Sequence, residues 1–149
     1  GRLDLHLEDT TVRDVVERGL SFADPDHGFE VKIQPDLTVH ADAGRLEQVV
    51  VNLASNALRY GRPPLVVEAD VGPDSTLELL FRDHGPGVHP AERATLFEPF
   101  RSEADRSSVG LGLAIVKALV EAHGGDVTYE PNDPRGAVFR VSLPVGGPS

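Results

Sequence analysis

Segment after segment of this chain alternates apolar and polar residues. Leu3, Leu5 and Leu7 alternate with Asp4, His6 and Glu8, and Phe29, Val31 and Ile33 with Glu30, Lys32 and Gln34. The same period of two returns in Leu37, Val39 and Ala41, in Leu65, Val67, Ala69 and Val71, and in Leu77, Leu79 and Phe81. It appears again in Val127 and Tyr129 and in Ala137, Phe139, Val141 and Leu143. That period gives a strand one face for a core and one for water. A doubly wound parallel sheet is buried on both faces and shows continuous apolar runs instead. The expected fold class is therefore α/β: a two-layer α/β sandwich whose mixed or antiparallel sheet carries helices on one face. Turn residues at Pro35-Asp36, at Gly72-Pro73-Asp74-Ser75 and from Pro131 to Gly136 separate the strands, and the second turn predicts a hairpin.

The long helix predicted over Asp42 to Tyr60 is the centre of the second layer. Asp42 suits the N-cap, because its carboxylate can accept first-turn amides. Gly61 is expected in the left-handed C′ conformation, and Pro63 blocks continuation. Leu46, Val49, Val50, Leu53 and Ala57 form its apolar face. A second helix follows Thr10 or Thr11 as cap, with Val12, Val15, Val16 and Leu20 on one face. A third runs from about Leu111 to Ala122. Only its Lys117 and Glu121 are clearly polar, so it reads as mostly buried. His123 suits the negative end of that helix dipole, and Gly124-Gly125 supply its C′ conformation.

Along the border of the long helix, Arg45, Asn52, Asn56 and Arg59 make a polar stripe. Asn is a poor helix-interior residue, since its amide competes for backbone hydrogen bonds. Two readings stay open from this helix alone. The amides tie the helix to a neighbouring loop, or their oxygens meet a metal and its ligand.

Composition narrows the function classes. At 149 residues the chain suits one domain with one core. Its net charge of −10 argues against general nucleic-acid or anionic-membrane binding. The absence of cysteine removes disulfides and thiol chemistry. No apolar run approaches the roughly 18 residues of a membrane span. The abrupt start at Gly1-Arg2 suggests a fragment of a longer protein. His6 and His40 fall on polar strand faces and read as solvated.

Asp83 continues the inward register of Leu77, Leu79 and Phe81. A buried ionised carboxylate is costly unless something donates to it. His84-Gly85-Pro86-Gly87 follows, a turn whose glycines let backbone approach a ligand closely. Asp83 either caps this turn itself or awaits a donor such as an exocyclic amine. Pro90 to Thr95 reads as a short helix, and Phe97 and Phe100 as core anchors. Residues 101–108 hold only Ala104 as an apolar side chain, so a mobile segment is expected there, with Arg101 and Arg106 able to pair with phosphates. Gly110-Leu111-Gly112-Leu113 then opens the third helix, and its free amides form an anion site.

In combination, Asn52-x-x-x-Asn56, Asp83-x-Gly85-x-Gly87, Phe97-x-x-Phe100 and Gly110-x-Gly112-Leu113 resemble the ordered N, G1, F and G2 boxes of sensor histidine kinases, members of the Bergerat-fold (GHKL) ATPases. The resemblance extends from Leu3 to Pro144. It implies a catalytic, ATP-binding domain over residues 1–145, a flexible tail over 146–149, and ATP held between the long helix and a flexible lid. By position, Asp83 would accept the adenine amino group, and Gly85, Gly87 and Val88 would lie at the base. Asn56 would bind Mg²⁺ with support from Asn52, and Asn56 and Arg59 would serve catalysis. Tyr60 would pack near base or ribose. Phe100, Arg101, Gly110, Leu111, Gly112 and Leu113 would complete the nucleotide site.

The chain departs from the family at Ser108 and Val109, where a further glycine and a small residue are usual, and in its short lid. Hydrolytic relatives carry Glu at the position of Asn52, and a neutral amide is no general base. Transfer of the γ-phosphoryl to a protein histidine is thus favoured over hydrolysis. None of the histidines at 6, 27, 40, 84, 89 and 123 has the context of a phosphoacceptor. The resemblance therefore implies partners elsewhere: a dimerisation and histidine phosphotransfer domain of the parent protein, and a response regulator downstream. It implies a monomeric isolated domain that does not label itself, a homodimeric parent, and a cytoplasmic location, including as part of a membrane-anchored sensor. The alternative is a non-catalytic nucleotide-binding or interaction module of the same fold.

Overall fold

The computed structural model of the protein describes residues 4–99 and 112–148. Its elements run β1 (Glu8–Thr11), α1 (Val12–Ala23), β2 (Phe29–Lys32), β3 (Thr38–Ala41), α2 (Ala43–Tyr60), β4 (Leu65–Val71) and β5 (Thr76–Arg82). A 3₁₀ helix (Pro90–Thr95), α3 (Gly112–Ala122), β6 (Asp126–Pro131) and β7 (Ala137–Pro144) follow.

The main sheet has the order β2-β4-β5-β7-β6, with β2 and β4 parallel and the other neighbours antiparallel. One row across it reads Val67, Phe81, Phe139, Tyr129, and the next Ala69, Leu79, Val141, Val127. These inward residues share a core with the apolar faces of all three helices, including Val15, Val16, Val50, Leu53 and Val116. The other face is polar: Arg82 pairs with Glu68, and Arg140 bonds Glu130 at 2.8 Å and approaches Glu78 at 3.8 Å. The two-layer sandwich expected from the alternation is the fold observed, and of the two sheet types left open the parallel β2–β4 pair makes it the mixed one.

Four local expectations are corrected. The alternation at Leu5 and Leu7 is not a strand. β1 begins at Glu8, because its partner β3 is only four residues long and pairs Glu8 with Ala41 and Thr11 with Thr38. Thr11 holds the N-cap position of α1, but its side chain makes no capping bond. Gly61 ends α2 at φ −91°, ψ −170°, extended rather than left-handed. α3 is buried on one face only, through Leu113, Val116, Leu119 and Val120, while Ala118 is exposed. α3 packs on α2 and β6, and no other helix or strand among the described residues covers its outward side.

The capping of α2 follows the sequence. Asp42 Oδ1 accepts the Arg45 amide at 3.0 Å, and Oδ2 accepts the His6 amide at 2.9 Å. Burial pushes the Asp42 carboxyl up, but those two amides, with His123 and His6, hold it below its ordinary value. His123 has a larger part than the helix dipole suggested. Its ring is 3% exposed, with Nδ1 2.7 Å from the Leu119 carbonyl oxygen and Nε2 accepting the Asp42 amide at 3.1 Å. Gly124, at φ +80°, closes α3 as expected. Beyond β7, the Val145 amide donates to Ser75 O and the Gly147 amide to Pro144 O.

Candidate functional site

The polar stripe of α2 lies beside the first turn of α3. Asn52 Nδ2 donates to the Gly112 carbonyl oxygen at 3.2 Å. One amide thus ties α2 to a neighbouring element, the first of the two readings of the stripe. Asn56, one turn further along, is half-buried, and Arg59 and Tyr60 are exposed. Among the described residues, a Cβ on Gly112 would meet nothing within 4 Å.

At its far end α2 abuts the loop after β5. The inward register of β5 does carry on to Asp83, which is 4% exposed. Its Oδ1 accepts the Gly85 amide at 2.9 Å. Gly61 is glycine for room: a Cβ there would lie 2.5 Å from Asp83 Cγ. A Cβ on Gly85 would lie 2.8 Å from Gly61 Cα and 3.0 Å from Tyr60 O. The His84 amide donates to Arg62 O at 2.8 Å and completes the join. Burial raises the Asp83 carboxyl above the ordinary carboxylate value, against the opposing pull of the Gly85 and Ala137 amides and of His84. A carboxylate offers about four acceptor positions, and one perturbed by burial in a glycine turn is a candidate ligand group.

The turn between β6 and β7 backs this loop, and its residues were not singled out in the sequence. Asn132 Nδ2 donates to Asp83 O at 2.9 Å and Arg135 Nε to Gly85 O at 3.2 Å. The Val88 amide donates to the Tyr129 hydroxyl at 3.1 Å. Gly87, at φ +75°, faces Gly136, whose oxygen an added Cβ would approach to 2.9 Å. The only sequence signal for this support was the turn composition itself, which does not say what the turn touches.

Asn52, Asn56, Asp83, Gly85 and Gly112 are therefore gathered along one helix, between its contacts with α3 and with the β5 loop. Leu113 sends its side chain into the core. Phe97 packs edge-on to Phe139 at 6.2 Å, while Leu96 beside it is the buried anchor. Phe100, Arg101, Gly110 and Leu111, with the mobile segment expected over 101–108, lie outside the described residues. A groove of about 940 Å³ between α1 and α2, lined by Asp14, Phe22, Gln48 and Val51 among others, contains none of the site residues. Among the described residues no group of three or more His, Asp or Glu side chains could hold a metal ion. A divalent cation here would need charge supplied by its ligand, which suits neutral Asn oxygens beside a polyphosphate. No helix among the described residues is long and apolar enough to cross a membrane.

Comparison with known proteins agrees with this architecture. The family model described as histidine kinase-, DNA gyrase B-, and HSP90-like ATPase matches residues 41–147. The sensor protein KdpD of Escherichia coli K12 is 34% identical over 97% of this chain, which spans 17% of that protein. The solved structure of the mycobacterial sensor histidine kinase MprB superposes with a TM-score of 0.82 at 31% identity, over 96% of this chain and 99% of that one. Full-length ShkA, solved in complex with AMPPNP, gives a TM-score of 0.81 at 29% identity, over 100% of this chain and 33% of that one. The chain spans less than a third of the curated relatives it matches. With its mixed sheet, its polar α2 stripe and its buried Asp83, the chain belongs to the histidine kinase-, DNA gyrase B- and HSP90-like ATPase family, as the ATPase domain of a sensor histidine kinase.

Proposed function

We propose that this domain binds Mg-ATP along α2 and donates the γ-phosphoryl group to a histidine on a dimerisation domain of its parent protein, in two-component signalling with a response regulator downstream. The observation that carries the reading is Asp83: a buried carboxylate, raised by burial, in a glycine turn at the end of the polar helix. Its remaining acceptor positions suit the amino group of adenine. From Gly61, against Asp83, back to Asn52, against Gly112, α2 rises about 13 Å, a span on which a nucleoside triphosphate can lie. The base then sits at Asp83, Gly85, Gly87 and Val88, and the phosphates at Asn56, Arg59 and Gly112.

Mg²⁺, when bound, neutralises phosphate charge, and Asn56 is the residue that would hold it, with Asn52 beside it. In the transfer the imidazole nitrogen's lone pair forms a bond to the γ-phosphorus, the bond to the β–γ bridging oxygen breaks, and ADP leaves. The protein's part is positioning and charge stabilisation. Asn52 offers no general base for water, and its Nδ2 is engaged with Gly112. Hydrolysis should therefore be slow.

The test is transfer from γ-labelled ATP with the chain alone, with the parent's phosphoacceptor domain added, and with Asn56→Ala plus that domain. Label on the added domain in the second mixture alone is the expected result. Transfer in trans will be inefficient, because the link that raises effective concentration is absent. Binding of ATP with no transfer, even within the intact parent, would make the domain a non-catalytic nucleotide module instead.

A further inference from the structure

We infer that the turn between β6 and β7 positions the base-binding loop, with Asn132 and Arg135 as its positioning residues, so that a segment remote in sequence sets the affinity for adenine. The inference rests on the reading of Asp83 above. The ladder between β5 and β7 ends at Arg82 and Val138. Beyond it the pairing is carried on by other groups. The Asp83 amide donates to Ala137 O at 3.0 Å, Asn132 Nδ2 returns a bond to Asp83 O at 2.9 Å, and Arg135 Nε reaches Gly85 O at 3.2 Å. Both carbonyls flank His84, so the two side chains grip the loop on either side of the residue that follows Asp83.

The turn that does the gripping is itself closed. The Asn132 amide donates to Gly136 O at 3.1 Å. Gly136 sits at φ +114° against Asp83, where an added Cβ would come within 2.0 Å of Asp83 O. On the other flank, Tyr129 accepts the Val88 amide while its ring packs on Phe139 at 5.6 Å between centroids. Asp83 aims its carboxylate through the Gly85 amide, and Arg135 fixes the far side of Gly85. A shift of Gly85 therefore redirects the acceptor that reads the base. Arg135 is exposed, so its contact with Gly85 can be removed without opening the core.

The experiment is a double-mutant cycle on the full chain, with ATP affinity measured by calorimetry and folding by thermal unfolding. The variants are Arg135→Ala, Asp83→Asn and both together, with Arg135→Lys as the conservative rescue and Asn132→Ala as a second probe. Arg135→Ala should weaken ATP binding about three- to tenfold, the effect of one hydrogen bond, and Arg135→Lys should restore most of it. In the Asp83→Asn background the same change should cost almost nothing further, since coupled residues are not additive. No loss in Arg135→Ala would overturn the inference and leave the Asp83 reading standing. Equal losses in both backgrounds would also overturn it, assigning the turn to the fold rather than to the base. Undiminished ATP binding by Asp83→Asn alone would sink the adenine reading, and the inference with it.

Discussion

The Asp42 amide donates to Nε2 of His123 across 3.1 Å, joining the start of α2 to the end of α3. Nδ1 lies 2.7 Å from the Leu119 carbonyl oxygen, which assigns the proton to Nδ1 and leaves Nε2 as the acceptor. The ring fills a buried joint between the two helices that flank the candidate site.

His123→Leu keeps the volume and leaves both partners unbonded. Orphaning a buried amide should cost about 1–3 kcal/mol. A urea midpoint unchanged at constant slope would show the joint to be dispensable.

Asp42 makes the acid limb of stability predictable. Its carboxyl is held below the ordinary value of 3.8 in the folded chain. Its contribution is therefore full above that value and is lost as pH falls through the lower folded value. Asp42→Asn can still cap the helix, but it has no charge to lose. Denaturation followed from pH 5 downward should show the parent losing more stability below about pH 4 than the variant. Parallel curves would refute the assignment.

Asp83 has the opposite sign. Its carboxyl is raised above 3.8 by burial. The stabilising contribution is full below 3.8 and is lost as pH rises through the higher folded value. Without nucleotide, Asp83→Asn should thus be at least as stable as the parent at neutral pH. It should nevertheless bind ATP more weakly by about 1.5–3 kcal/mol, the range for a hydrogen bond to a charged group. Loss of stability together with affinity would point to a purely structural carboxylate.

Asn56→Ala should weaken the Mg²⁺-dependent part of ATP binding and spare most of the affinity for adenosine. Titrations of both ligands with and without Mg²⁺ decide this. Equal losses for the two would mean that the amide serves the helix alone.

What could be read in the sequence was whatever depended on local pattern. The period of the strands, the cap at Asp42 and the inward turn of Asp83 are fixed by neighbours a few residues away, and all three are as expected. What escaped depended on partners far along the chain. Leu5 and Leu7 alternate correctly, but β3 is too short to pair with them. Gly61 reads as a helix-ending glycine; its lack of a side chain is required by Asp83, 22 positions later. Asn132 and Arg135 read as ordinary turn residues, because nothing local announces a bond to Asp83 or Gly85.

The bond from Asn52 to Gly112 has a thermodynamic consequence. One amide spans the middle of one helix and the first turn of another. Any ligand that draws Asn52 to itself changes the free energy of that span. Reciprocity then requires that a protein pressing on the first turn of α3 change the ligand's affinity by the same factor. A ligand at Asn52 and a load on the first turn of α3 would thus be linked through this amide, alongside the Asp42–His123 bond that joins the same two helices.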